Sequence, residues 1–213
     1  MCGRSLQART EKFADLIAHW LEPAVFEGRY NLRPTEEAWI VARRGDEAIK
    51  TIKARWWCQW DGSREFNTKF PMFNARVDTM HEKKLWSDLL EKGQRCIMPL
   101  NAFYEWPVKG KGLPPMHIAV KGQDAFGVAG LWSRYFDADQ TKYSFAVLTT
   151  EPNEFMSKIH DRMPVILGAK DEQERWLENG DESVLRPFDG ELEGVQLDVR
   201  LEQMYPGENK PKD

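Results

Sequence analysis

Cys2 opens the set of residues whose type and position could do chemistry. Once the initiator methionine is removed, this one residue would carry an α-amine and a thiol on adjacent carbons. An α-amine titrates near about 7.7–8.0 and a cysteine thiol near about 8.5, so close to neutrality a useful fraction of each is nucleophilic. An aldehyde suits both groups. The amine condenses to a Schiff base, and the sulfur, held at five-membered-ring distance, closes onto the imine carbon to give a thiazolidine. Well-placed intramolecular attack of this kind reaches effective molarities of about 10⁵ M and above. A cysteine at position two is also commonly an untouched terminal residue, and its type alone leaves both readings open.

Glu105 lies in Asn101-Ala102-Phe103-Tyr104-Glu105-Trp106-Pro107. Aromatic neighbours desolvate a carboxylate and raise its pKa toward the range where it both takes and gives a proton, whereas on a strand edge it would simply face water. His160, in Ile159-His160-Asp161-Arg162-Met163-Pro164, is the side-chain type best poised to shuttle protons near neutrality, and Arg162 beside it could meet a phosphate. A locally packed His–Asp turn is the plainer alternative. Asn31 and Asn74 each donate and accept, so either could orient an amine or a sugar hydroxyl, and Arg76 offers a fork for phosphate. Both asparagines could equally form turns. The three cysteines, Cys2, Cys58 and Cys96, form no CxxC pair, and the four histidines show no HxH or HExxH spacing. We therefore expect reduced thiols and no metal.

The elements that must position these groups follow from periodicity. Phe13, Leu16, Ile17, Trp20 and Leu21 predict a helix over about 10–21 behind Thr10. Segments 37–43 and 48–57 read as strands joined around Gly45-Asp46, a hairpin. Residues 60–73 have the grammar of a loop, and 81–92 returns to helix. Short strands follow at about 94–99, 102–107, 116–120, 125–132 and 143–150, then short helices near 152–158 and 171–178 and a strand around 195–199. Many short strands with few intervening helices indicate an α+β fold, a mainly antiparallel, partly closed β-sheet core with a few flanking helices. With 213 residues and no internal repeat, the chain reads as a single domain over 1–213, with a frayed end from about 206.

Composition sets the outer limits. A chain 41% hydrophobic and 12% aromatic, with nine Trp, is neither disordered nor a disulfide miniprotein. No apolar run approaches a membrane span and no secretion signal is recognisable at Met1-Cys2-Gly3-Arg4, so the expectation is a cytoplasmic monomer with no membrane partner. The net charge of −4 conceals a split. Residues 171–213 hold five Lys/Arg against thirteen Asp/Glu, which leaves residues 1–170 at +4. From Arg43 to Lys84, basic residues interleave with Trp56, Trp57, Trp60, Phe66, Phe70 and Phe73. Cations with exposed aromatics make a single-strand binding surface, and the same composition also suits a solvated strand face over a Trp-rich core.

Beyond composition, the chain resembles the SOS-response-associated peptidase family. The resemblance rests on Met-Cys-Gly-Arg at the start, Arg29-Tyr30-Asn31 with Pro34, Arg55-Trp56-Trp57, Phe73-Asn74-Ala75-Arg76, Arg95-Cys96 with Pro99, Phe103-Tyr104-Glu105-Trp106, Ala129-Gly130-Leu131-Trp132, Leu148-Thr149-Thr150 and Ile159-His160-Asp161-Arg162-Met163-Pro164. These motifs stand in the family's order across residues 2–165. The resemblance implies a protein that binds single-stranded DNA at an abasic site and links Cys2 covalently to the ring-opened sugar aldehyde after autocatalytic loss of Met1, without a cofactor. It implies that Asn31 and Asn74 hold the amine and the sugar remnant, that Glu105 assists deprotonation, and that His160 is the acid/base. Arg4, Arg76 and Arg162 would hold phosphates, with Thr149, Trp56 and Trp106 near backbone and bases. It implies a role in DNA repair and the SOS response, near the nucleoid in a bacterium. Two stretches depart from the family pattern: Cys58-Gln59-Trp60-Asp61-Gly62 after the Trp pair, and Asp78 where the family more often has Glu. A cysteine peptidase acting on other proteins through Cys2, His160 and Glu105, and a non-covalent single-strand binding module, are the alternatives.

Overall fold

The computed structural model describes residues 3–8, 28–107, 112–138 and 140–206. Cys2, the helix expected over 10–21 and the end beyond 206 lie outside the described residues.

The strands fall into two sheets. The first has five, in the order β13 (Leu192–Gln196), β8 (Met116–Val120), β7 (Ala102–Glu105), β1 (Ser5–Gln7) and β2 (Arg29–Leu32), and all its pairings are antiparallel. The second is built on β3 (Glu37–Arg43), β4 (Lys50–Trp56), β6 (Arg95–Leu100), β9 (Phe126–Asp137) and β10 (Gln140–Thr150). Here β10 pairs with β9 over eight residues and with β4 over only two, so the five strands curl into a partly closed barrel. The fold is thus the expected α+β class. Three short strands complete the second sheet: β5 (Asn74–Arg76) and β11 (Met163–Pro164) against β10, and β12 (Ile166–Leu167) against β9.

Long apolar runs in the central strands have a simple cause, because both faces are buried. Ile40, Met98, Phe126, Phe145 and Val147 meet Phe103, Ile118 and Leu192 of the first sheet. The alternate residues Val41, Ile97, Leu131 and Leu148 meet Met80, Leu89 and Trp176. Each such side chain removed from water stabilises the fold by about 1.5–3 kcal/mol.

Helix α1 (Lys84–Glu91) turns Leu85, Trp86 and Leu89 onto this second cluster. Helix α2 (Glu154–Ser157) follows β10, and its start is capped by Asn153, whose Oδ1 accepts the Met156 N–H at 2.9 Å. Helix α3 (Lys170–Glu174) runs into a wider turn through Asn179 and stops at Gly180, whose φ of +66° suits glycine. A last single turn, α4 (Leu201–Met204), is anchored by the buried Leu201. No helix among the described residues is long and apolar enough to cross a membrane.

Candidate active site

Residues distant in sequence gather at the end of β10 in the second sheet and at the ends of β7, β1 and β2 in the first. On the barrel side, β10 carries β5 on one flank and β11 on the other, with Thr149 opposite both Arg76 and Pro164. This brings Asn74 and Arg76 beside the His160–Arg162 turn that leads into β11. On the other side, Ser5 of β1 pairs with Phe103 of β7 and with Leu32 of β2. Arg4, Glu105 and Asn31 therefore share one end of the first sheet.

Glu105 is 3% exposed because β7 is flanked by β1 and β8, so the strand-edge reading is excluded. Burial pushes its carboxyl up to about 7, with the positive charge of the amino terminus and the Trp106 N–H pulling against it. At neutral pH the group is divided between acid and base forms, the condition for moving a proton both ways. His160 is half-buried. Burial holds its ring below the ordinary histidine value, the amino-terminal charge acts in the same direction, and Asp161 opposes both. Its Nδ1 accepts the Arg162 N–H at 3.0 Å and stands 2.9 Å from Asp161 Oδ1. The neutral ring that accepts from Arg162 carries its proton on Nε2; protonated, its Nδ1–H has Asp161 to face. The Asp161 charge is felt at Glu105, His160 and Arg76 alike, which ties the two sides together.

The asparagines sit in strands, so the turn reading fails for both. Asn31 is fully buried in β2 and its Oδ1 accepts from Arg4 Nη1 at 2.8 Å. Asn74 begins β5. Arg4 lies 5.9 Å from the ring centre of the exposed Trp106 and forms a 2.9 Å ion pair with Glu202. A cleft of about 220 Å³ opens beside Trp106, lined also by Leu113, Pro115, Leu201 and Glu202.

Asp78, noted in the sequence as a departure from the family pattern, links two arginines. It accepts from Arg76 at 2.6 Å and from Arg162 at 2.9 Å. The hydrogen bond from Arg76 brings its carboxyl down to about 2, with Arg162 adding to the effect. The shorter acid at this position thus spans both arginines. Arg162 also donates to the Thr149 carbonyl at 2.7 Å, and only 13% of its side chain is exposed against 56% of Arg76. The signal in the sequence was the departure from Glu at this position, and which partners the shorter acid meets follows from the fold.

Two expected DNA contacts need correction. Trp56 is fully buried, stacks on Phe145 with centroids 6.2 Å apart, and donates from Nε1 to the Phe73 carbonyl at 2.8 Å. Its ring is packed within the core and presents no face to a base. Thr149 is buried as well, and its hydroxyl donates to the Ala75 carbonyl at 3.4 Å, so it braces β5 instead of presenting a side chain. The aromatic and basic stretch divides in the same way. Arg55 covers Phe66 at 4.5 Å, while Trp60 and Phe70 are about half exposed. The Cys58–Gly62 segment is held by Gln59, which exchanges two hydrogen bonds with the Asn67 backbone, and by Asp61, which pairs with Lys92. Among the described residues no cluster could hold a metal ion.

Comparison with known proteins agrees with this architecture. The chain is 31% identical to the abasic site processing protein YoqW of Bacillus subtilis (strain 168), over all of this chain and 98% of that one. It is 32% identical to the abasic site processing protein YoaM of the same organism, over 92% and 91% of the two chains. A crystal structure of a protein from Bordetella bronchiseptica shares the fold with a TM-score of 0.78 at 22% identity, covering 93% of this chain and all of that one. The family model described as SOS response associated peptidase (SRAP) matches residues 1–202, and to that family the chain belongs.

Proposed function

We propose that this protein captures abasic sites in single-stranded DNA through a covalent thiazolidine on Cys2. The observation that carries the proposal is a carboxyl, Glu105, buried within β7 and raised to about 7, which shares the field of Asp161 with the half-buried His160. Such a pair serves a reaction begun by a terminal amine.

Maturation hydrolyses the Met1–Cys2 peptide bond, consuming one water and leaving the Cys2 amine as the new terminus. Glu105 takes a proton from that amine, which adds to the C1′ aldehyde of the ring-opened sugar to give a carbinolamine. Protonation of the carbinolamine hydroxyl by Glu105 or His160 releases water and leaves the imine. The Cys2 sulfur then attacks the imine carbon, its proton passing to the nitrogen, so the ring closes with one water lost overall. Capture removes the aldehyde that drives β-elimination and strand breakage. Asn31 and Asn74 orient the amine and the sugar hydroxyls, and Arg4, Arg76 and Arg162 meet phosphates. Relatives that are named abasic site processing proteins support the substrate class.

The test is a denaturing gel of the protein with intact and abasic single strands, beside Cys2→Ala, with intact mass recorded. A slow band with the abasic strand only, dependent on Cys2, and a mass lacking Met1 are expected. Salt-sensitive binding without a persistent adduct would refute the covalent reading, and turnover of labelled peptides in trans would favour the peptidase.

A further inference from the structure

The acidic end of the described chain returns to the site. After β13, the Gln196 side-chain amide donates to the carbonyls of Pro114 and Pro115, and the Leu197 N–H donates to Pro115 at 3.0 Å. The buried Leu201 then pins the single turn α4. From this turn Glu202 places Oε1 2.9 Å from Arg4 Nη1, and Tyr205 lies on Tyr30 with ring centres 5.5 Å apart and planes at 22°. Both partners adjoin proposed site residues. Arg4 is bonded to Asn31, and Tyr30 precedes Asn31 in β2.

A carboxylate on a guanidinium and a flat ring on a flat ring are the contacts a nucleotide would make, phosphate to arginine and base to aromatic. Four helical residues are too few to hold a helix by themselves, so α4 depends on its contacts. Of these, Leu201 and the Pro115 bonds fix the base of the segment, while the Glu202 pair and the Tyr205 stack close its tip. The Arg4–Glu202 pair is exposed by 22% and 46% on its two sides, within reach of a competing anion.

We infer that Arg4 and Tyr30 form a nucleotide subsite, taking one phosphate and one stacked base of single-stranded DNA, and that Glu202 and Tyr205 hold it closed at rest. The inference rests on the proposed function and adds a resting state to it. An exposed ion pair together with a ring stack gives the closed form an advantage on the order of tenfold.

The test uses the full chain and a short single strand carrying a tetrahydrofuran abasic analogue, which has no aldehyde, with affinity read by fluorescence anisotropy. The double variant Glu202→Gln, Tyr205→Ala keeps Leu201. It is expected to bind about tenfold more tightly, with a salt slope steeper by about 0.7, and Arg4→Gln added to it should abolish the gain. Unchanged or weaker affinity, or a gain that survives Arg4→Gln, overturns the subsite. Crosslinking to a true abasic strand is followed in parallel. Loss of crosslinking in the wild-type chain with the affinity gain intact refutes the covalent chemistry and leaves the subsite standing. Failure of the analogue strand to bind any variant overturns the subsite, while crosslinking to the true abasic strand decides the covalent reading by itself.

Discussion

Glu105→Gln should make the protein more stable and less active, with both effects tied to pH. Glutamine mimics the neutral acid in shape and hydrogen-bonding capacity while removing the charge. Folding carries this carboxyl from its ordinary value of 4.5 to about 7. At about 1.4 kcal/mol for each pKa unit, the ionised form costs the folded state about 3 kcal/mol. In the interval between the two values the folded chain keeps a proton that the unfolded chain releases. Stability from this group is therefore complete below about pH 4.5 and declines as pH rises through about 7. Relative to wild type, Glu105→Gln should be near neutral at pH 5 and gain about 3 kcal/mol by pH 8, on the order of 8 °C in Tm for a chain of this size. Thermal unfolding of both proteins across pH 5–8 measures the difference. Crosslinking with an abasic strand should at the same time slow by about a hundredfold and lose its inflection near pH 7. A stability difference that stays flat with pH, or grows as pH falls, would show that Glu105 is not a buried carboxyl with a raised pKa and would remove the basis for its catalytic role.

His160→Gln should slow adduct formation by about a hundredfold, because it removes a proton carrier, while the affinity for an aldehyde-free abasic strand stays within about twofold; a parallel loss of affinity would refute the acid/base assignment. Asp78→Asn frees Arg76 and Arg162 of their shared carboxylate, so single-strand affinity should rise a few-fold at low salt while crosslinking per bound complex falls, since the turn holding His160 loosens. This effect should not vary between pH 5 and 8, because the Asp78 carboxyl, held down at about 2, is fully ionised there; a pH-dependent response would show that another group is responsible. Gly130→Ala tests the barrel. An added Cβ would lie 2.7 Å from the Ala146 carbonyl oxygen and 2.8 Å from Cys96 Sγ, both on flanking strands, so a loss of about 1–3 kcal/mol in denaturant unfolding is expected, and an unchanged midpoint would contradict the close packing of β6, β9 and β10.

Elements long enough to show a period could be read from the sequence. The hairpin of β3 and β4 around Gly45, the strand at 116–120 and helix α1 all lie where the pattern puts them. Strands β9 and β10 extend past the predicted 125–132 and 143–150 because Arg134, Asp137 and Gln140 continue the ladder beyond the apolar core. The last strand was expected at 195–199 and forms at Leu192–Gln196, in register with β8. Strands β1, β2, β5, β11 and β12 have two to four residues, too few for any period, and exist because a neighbour pairs with them. The site divides along the same line. Residue types announced the chemistry of Glu105 and His160, but the depth of Glu105 depends on β1 and β8 lying on either side of it. Burial also decided Trp56. A tryptophan beside arginines suits a base platform and a core equally well, and only the β4–β10 contact settles which it is.

The resting charges of the site have a common form. Asp78 occupies Arg76 and Arg162, and Glu202 occupies Arg4. Under the proposed function these are the three arginines that meet phosphate, so DNA would enter by exchanging one anion for another. Exchange of this kind makes the electrostatic gain small for any strand that makes no further contact at the site. Three free arginines would give single-strand binding a salt slope of about 2. Arginines whose carboxylate partners already replace counterions release fewer ions on binding, so the slope should be shallower. An intact strand then holds weakly and leaves, while an abasic strand stays long enough for the slower covalent step. Selectivity for the lesion would thus come from low affinity for everything else together with covalent chemistry at one carbon, a division that suits a chain whose net charge is −4.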